Sequence, residues 1–130
     1  MLQRDYIVEI VGQFAQAVAD AFRGAVRGKR EGCEDVERQI GELLELDPET
    51  ALSLAPDSLV TMMILSGMGD SLASYVCYAL DRLARVYDAQ GEGDLAELRR
   101  LQAQAVAESF SCDANDVPEE LQEVDGELFA

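Results

Sequence analysis

The fold class is decided by residues 5–26, Asp-Tyr-Ile-Val-Glu-Ile-Val-Gly-Gln-Phe-Ala-Gln-Ala-Val-Ala-Asp-Ala-Phe-Arg-Gly-Ala-Val. Apolar side chains fall at Ile7, Val11, Phe14, Val18, Ala21 and Ala25. These alternating steps of four and three place them on one face of a helix. Ile10 and Phe22 widen the stripe beyond the narrow seam of a two-stranded coiled coil, so the segment reads as a core helix of a bundle. Gly24 and Gly28 mark its end.

Working outward, Val36, Ile40, Leu43 and Leu44 share one side of a second helix, from about Cys33 to Leu46. Asp47-Pro48-Glu49-Thr50 then supplies a helix start: an aspartate to cap, a proline at the first helical position and a glutamate in the first turn. That helix is short, because Pro56 opens another. In the segment from Pro56, Leu59, Val60, Met62, Met63, Ile64 and Leu65 leave almost no polar face. A helix apolar all round belongs in a core or in an oligomer interface. A fifth helix spans about Asp70 to Gln90, with Leu72, Val76, Ala79, Leu80, Leu83 and Tyr87 inward and Gly91 as its stop. Asp94-Leu95-Ala96-Glu97 has the capping-box pattern. It opens a sixth helix to about Phe110, whose apolar face is expected at Leu98, Leu101, Ala105 and Val106. No stretch sustains the period of two that a half-buried strand needs, so the class is all-α, with six to seven helices.

Residues 1–110 read as one all-helical domain. Residues 111–130 change character: they hold Asp113, Asp116, Glu119, Glu120, Glu123, Asp125 and Glu127 and no base. Pro118 is placed to start a short helix with Leu121, Val124 and Leu128 on one side, and that strip is expected to dock weakly on the bundle.

The 130 residues carry 26 acidic and 10 basic side chains, a formal charge of −16, and no histidine or tryptophan. Such a charge repels phosphate, so neither nucleic acid nor an anionic membrane is an expected partner. The acids are scattered among core positions rather than spread over one face, which argues against mimicry of nucleic acid. One basic cluster exists, Arg23, Arg27, Lys29 and Arg30, where the first helix ends and cations complement the helix dipole. The absence of histidine removes the commonest general base and the commonest zinc ligand. Cys33, Cys77 and Cys112 form no CxxC pair. With no cationic and apolar leader at Met1-Leu2-Gln3-Arg4-Asp5, they are expected to be reduced thiols in a cytoplasmic protein. No apolar run approaches the roughly 20 residues of a membrane span.

The acids Glu34, Asp35, Glu37, Glu42, Glu45, Asp47 and Glu49 around the second helix read as a solvated charged face. The Glu-x-x-His element of di-metal bundles cannot be made here, and no metal or cofactor is expected. Ser66, Ser71, Ser74 and Ser109 have no histidine to activate them. Gly67-Met68-Gly69-Asp70-Ser71 lacks the Lys-Ser/Thr pair of a phosphate loop and reads as a helix–helix turn with Asp70 as cap. Cys77 reads as inert core and Cys112 as the more exposed thiol. No catalytic constellation emerges, and the chain is expected not to be an enzyme.

Asp5-Tyr6-Ile7, Gln13-Phe14 and Leu43-Leu44-Glu45-Leu46-Asp47 resemble an uncharacterised bacterial family of small all-helical proteins, over roughly residues 2–110. The resemblance implies a tetratricopeptide-like fold of antiparallel helix pairs and brings no activity, cofactor or catalytic residue. Leu83-Ala84, Tyr87, Gln90, Gly91, Ala96 and Ala103 are similar to the small and aromatic positions of such a repeat. The repeat's tryptophan is absent, and Arg100 stands where an aromatic usually packs.

The expectation is a protein-binding module that prefers a basic segment, or a structural homodimer. A small-molecule binder is the remaining alternative. Leu59, Met63, Tyr75 and Tyr78 are the candidate interface residues.

Overall fold

A computed structural model describes residues 2–29, 31–67 and 69–130, with the side chains of residues 2–6 excepted. Met1, Arg30 of the basic cluster and Met68 of the glycine turn therefore lie outside the described residues. Among the described residues seven α-helices follow one another: α1 (Leu2–Val26), α2 (Glu31–Leu44), α3 (Pro48–Ser53), α4 (Pro56–Leu65), α5 (Asp70–Ala89), α6 (Gly93–Ser109) and α7 (Gln122–Leu128), the last preceded by a 3-10 turn at Glu119–Leu121. There is no strand among the described residues. The protein is all-α.

Two long hairpins make the frame. α1 packs along α2, and α5 along α6 in the most extensive pairing of the molecule. α2 and the middle of α1 rest against α5, α4 covers α6, and the C-terminal turn and α7 lie against α1. α5 is thus enclosed, burying eleven of its 20 residues, including Val76, Tyr78, Leu80 and Leu83. The α1 stripe behaves as its spacing requires from Val11 onward: Phe14, Val18, Phe22 and Ala25 are in the core. Ile7, near the start of α1, stays 40% exposed.

Helix ends follow local chemistry in part. The Asp47 carboxylate accepts from the Thr50 amide at 3.1 Å, with Pro48 in the first turn, as its sequence dictates. Asp70 and Asp94 do not cap. Gly69 and Glu92 hold the cap positions, and the two aspartates fall inside the first turn, where they complement the dipole instead.

Glycine permits close approach at two joins, Gly32 in the α1–α2 hairpin and Gly41 at the α2–α3 turn. A Cβ on Gly32 would stand 2.5 Å from the Ala25 amide nitrogen, and one on Gly41 2.7 Å from Pro48 Cγ. Backbone meets backbone at both places, which no larger residue permits.

Gly32→Ala should therefore push the α1–α2 crossing apart and cost about 1–3 kcal/mol. Gly12→Ala, where a Cβ on α1 meets nothing within 4 Å, should raise stability by about 0.5–1 kcal/mol through the unfolded chain's lost freedom. Urea midpoints of the two variants check the opposite signs.

Candidate functional site

On α6 the sequence order is inverted relative to expectation. The buried face is Ala96, Arg99, Gln102, Ala103 and Val106, whereas Leu95 and Leu101 are 38% and 42% exposed, with Leu98 and Ala105 half-buried. The physical reason is the short helix α3, whose final carbonyls point into the interior and need donors. Arg99 Nη1 donates to the Leu52 carbonyl at 2.7 Å, and Gln102 Nε2 donates to the Leu52 and Leu54 carbonyls at 3.0 and 2.9 Å. The other side of the guanidinium is held by Glu37, with Nη2 and Nε donating to Oε2 at 2.7 and 3.0 Å. Tyr87 from α5 donates to the same oxygen at 2.7 Å. Burial and the neighbouring Glu37 both push the Tyr87 phenol up, so it stays a donor. Glu37 is thus not part of a solvated face but one pole of an inner ion pair, its side chain 14% exposed.

A second clasp fixes the C-terminal segment. Leu121 and Val124 are buried, so the strip begun at Pro118 is docked rather than hanging free. Arg82, 3% exposed, donates from Nε to Asp125 at 2.8 Å, and the Tyr78 hydroxyl donates to the same oxygen at 3.0 Å. The guanidinium lies 4.6 Å over the Tyr78 ring. The Tyr75 hydroxyl donates to Glu120 at 2.7 Å, Arg23 pairs with Glu127 at 3.2 Å, and Phe129 meets Phe22 edge-on at 5.4 Å. Burial works against the Asp125 carboxylate, but the Arg82 and Tyr78 bonds outweigh it and hold its pKa below the ordinary carboxylate value.

The four residues expected at an interface are distributed by this arrangement. Leu59 and Met63 are fully buried where α4 covers α6, and Tyr78 is fully buried beneath the C-terminal segment. Tyr75 keeps partial exposure against Glu120 and, edge-on at 6.4 Å, against Phe14. Tyr75 and Tyr78 come together; Leu59 and Met63 do not join them. Their partners are the chain's own helices. α4, read as apolar all round, is half buried, with Ile64 and Leu65 59% and 75% exposed.

Open clefts lie among the described residues. One of about 650 Å³ lies at the ends of α1 and α5, walled by Val26, Arg85, Val86 and Phe129. One of about 420 Å³ lies beside the uncovered start of α1, with Ile7, Ile10, Leu43 and Leu72 as walls and Glu42 and Glu45 at the rim. The third, of about 620 Å³, lies between α2, α3 and α6. Its floor is Pro48, Leu52, Leu95 and Leu98; its rim carries Glu34, Asp47 and Glu49, with Arg38, which pairs with Asp35 at 2.7 Å. Among the described residues no three acidic or cysteine side chains converge as metal ligands, and no helix is long and apolar enough to cross a membrane. The chain has no match among protein-family models, curated proteins or solved structures.

Because the Asp125 pKa is lower folded than unfolded, its contribution is complete above the unfolded value of about 4 and is lost as pH falls through the folded value. Urea stabilities of the wild type and Asp125→Asn should differ by about 1–2 kcal/mol at neutral pH and converge toward pH 3. A gap constant across that range contradicts the clasp.

Proposed function

We propose that the chain is a non-enzymatic protein-interaction module of the cytoplasm, in which the cleft between α2, α3 and α6 takes a basic, amphipathic segment of another protein. One observation carries this reading: Leu95 and the half-buried Leu98 of α6 line an opening beside an acidic rim while Arg99 and Gln102 face inward. Leu95 and Leu98 on the floor offer apolar contact, and Glu34, Asp47 and Glu49 on a chain of −16 favour a cationic partner. The antiparallel hairpins α1–α2 and α5–α6 support a degenerate, tetratricopeptide-like pairing of the kind residues 2–110 resemble. In such modules helix pairs hold extended or helical peptides.

A homodimer is the second reading, favoured by Ile64 and Leu65 at the exposed end of α4. It predicts a melting temperature that rises with protein concentration. A strictly monomeric species with concentration-independent melting removes it.

For the cleft, immobilised wild type and variants are compared for proteins retained from host lysate, and the on-rate of the retained partner is measured against salt. Leu95→Asp should weaken binding about tenfold or more. Glu34→Lys with Glu49→Lys should slow association several-fold and flatten its salt dependence. Leu65→Asp, away from the cleft, should change neither. A partner that binds Leu95→Asp as well as wild type overturns the assignment of the cleft, and retention of no protein at all overturns the module itself.

A further inference from the structure

Two of the three cysteines, 35 positions apart in sequence, both lie against the last turns of α6, next to the junction between the helical frame and the C-terminal segment. α6 ends in a reversal: Ser111 takes a left-handed conformation, φ 55°, and the Cys112 amide donates back to the Ala107 carbonyl at 3.1 Å. That turn folds Cys112 against the last turns of its own helix, its Sγ 3.9 Å from the Val106 carbonyl. Cys77, on the face of α5 that meets α6, has its Sγ 3.6 Å from the Ala103 carbonyl, three residues earlier along the same helix. Both sulfurs thus lie against carbonyls one turn apart on α6, and each thiol perturbs the other's ionisation. Cys33 is elsewhere, its thiol directed at Gln90 Oε1 at 3.9 Å.

We propose that Cys77 and Cys112 are a modification site, a dithiol that closes to a reversible intrachain disulfide and ties the connector of the C-terminal segment to the central helix. Closure needs the sulfurs at about 2.05 Å. Cys77 is held within α5, whereas Cys112 follows a single left-handed residue and precedes a stretch with no helix until Glu119. Rotation of the Cys112 side chain supplies the approach.

The oxidant is a small disulfide of the glutathione class. The half-exposed Cys112 sulfur, as thiolate, attacks one sulfur of that disulfide, which leaves as a thiol after taking up a proton. Cys77 then attacks the Cys112 sulfur of the mixed disulfide, and the second small thiol leaves. Two protein thiols are oxidised, one small disulfide is reduced to two thiols, and the two protein protons end on them. Burial pushes the Cys77 thiol up to about 12 and raises Cys112 as well, so exchange is slow at neutral pH and is followed to equilibrium.

The full chain is equilibrated with excess oxidised glutathione, unfolded, alkylated and mapped by peptide mass spectrometry with and without reduction. Cys33 should be the one alkylated cysteine, the Cys77 and Cys112 peptides should be joined within one chain, and the melting temperature should rise by roughly 5–10 °C and fall back on reduction. Cys77→Ala should stop at a glutathione adduct on Cys112; Cys112→Ser, altered outside any helix, should leave Cys77 unreacted. The proposal is overturned by three alkylated thiols at equilibrium, by a glutathione adduct that persists on Cys112 in the wild type, or by a cross-link that uses Cys33 or joins two chains.

Discussion

The fold turns on the guanidinium of Arg99. Only 5% exposed, it joins Glu37 of α2 and the Leu52 carbonyl near the end of α3 while its own helix packs on α5. Gln102 completes the set, and no buried side-chain nitrogen or oxygen among the described residues lacks a partner. The arrangement is demanding because each member is needed by another. Removing Glu37 strands a buried cation, a loss on the order of 3–5 kcal/mol, and removing Arg99 leaves a half-buried carboxylate without its counter-charge. The rotation of α6 about its axis follows from this: with Arg99 and Gln102 inward, Leu95 and Leu101 have no place but the surface.

Arg82 does the same work from the middle of α5. One central helix therefore carries two tyrosines that each touch a clasp, Tyr87 on Glu37 and Tyr78 on Asp125. Apolar packing around Phe22, Leu80 and Leu83 makes α5 central; the clasps set where α2 and α7 lie along it. The C-terminal segment differs from the frame in kind. Its attachment is a short apolar strip reinforced by carboxylates, and it weakens in acid as Asp125 takes up a proton.

Much of this was legible in the sequence where the signal is local. The stripe from Val11 to Ala25, the prolines at 48 and 56, the Asp47 cap and the Leu121–Val124 strip each depend on residues within two turns of one another. The face of α6 was not legible, because hydropathy ranks Leu101 above Arg99 and only the presence of Glu37, 62 positions earlier, reverses that order. Asp70 and Asp94 misled for a smaller reason: α5 begins at Asp70 itself and α6 one residue ahead of Asp94, so each aspartate lies inside the first turn. For the candidate site, the acidic stretch around α2 was visible but its sorting was not. Glu37 turns inward, Asp47 caps, and Glu34 and Glu49 remain at the rim. Leu59, Met63 and Tyr78 carried a hydrophobic signal that the chain's own core accounts for.

The pairing of charges explains why so acidic a chain folds at all. Arg23, Arg38, Arg82, Arg85, Arg99 and Arg100 all pair with carboxylates of the same chain. Those contacts relieve repulsion where helices meet: between α1 and α7, α5 and α7, α2 and α6, and α5 and α6. The same contacts withdraw most of the positive charge from the outside, because each of these arginines is already occupied by a neighbour. What remains facing water is dominated by unpaired aspartate and glutamate. A long-range negative field of this kind resists close approach of a second copy and draws cations toward any apolar opening it surrounds. The internal use of arginine that lets the helices pack is thus also what sets the sign of the surface around the exposed leucines of α6.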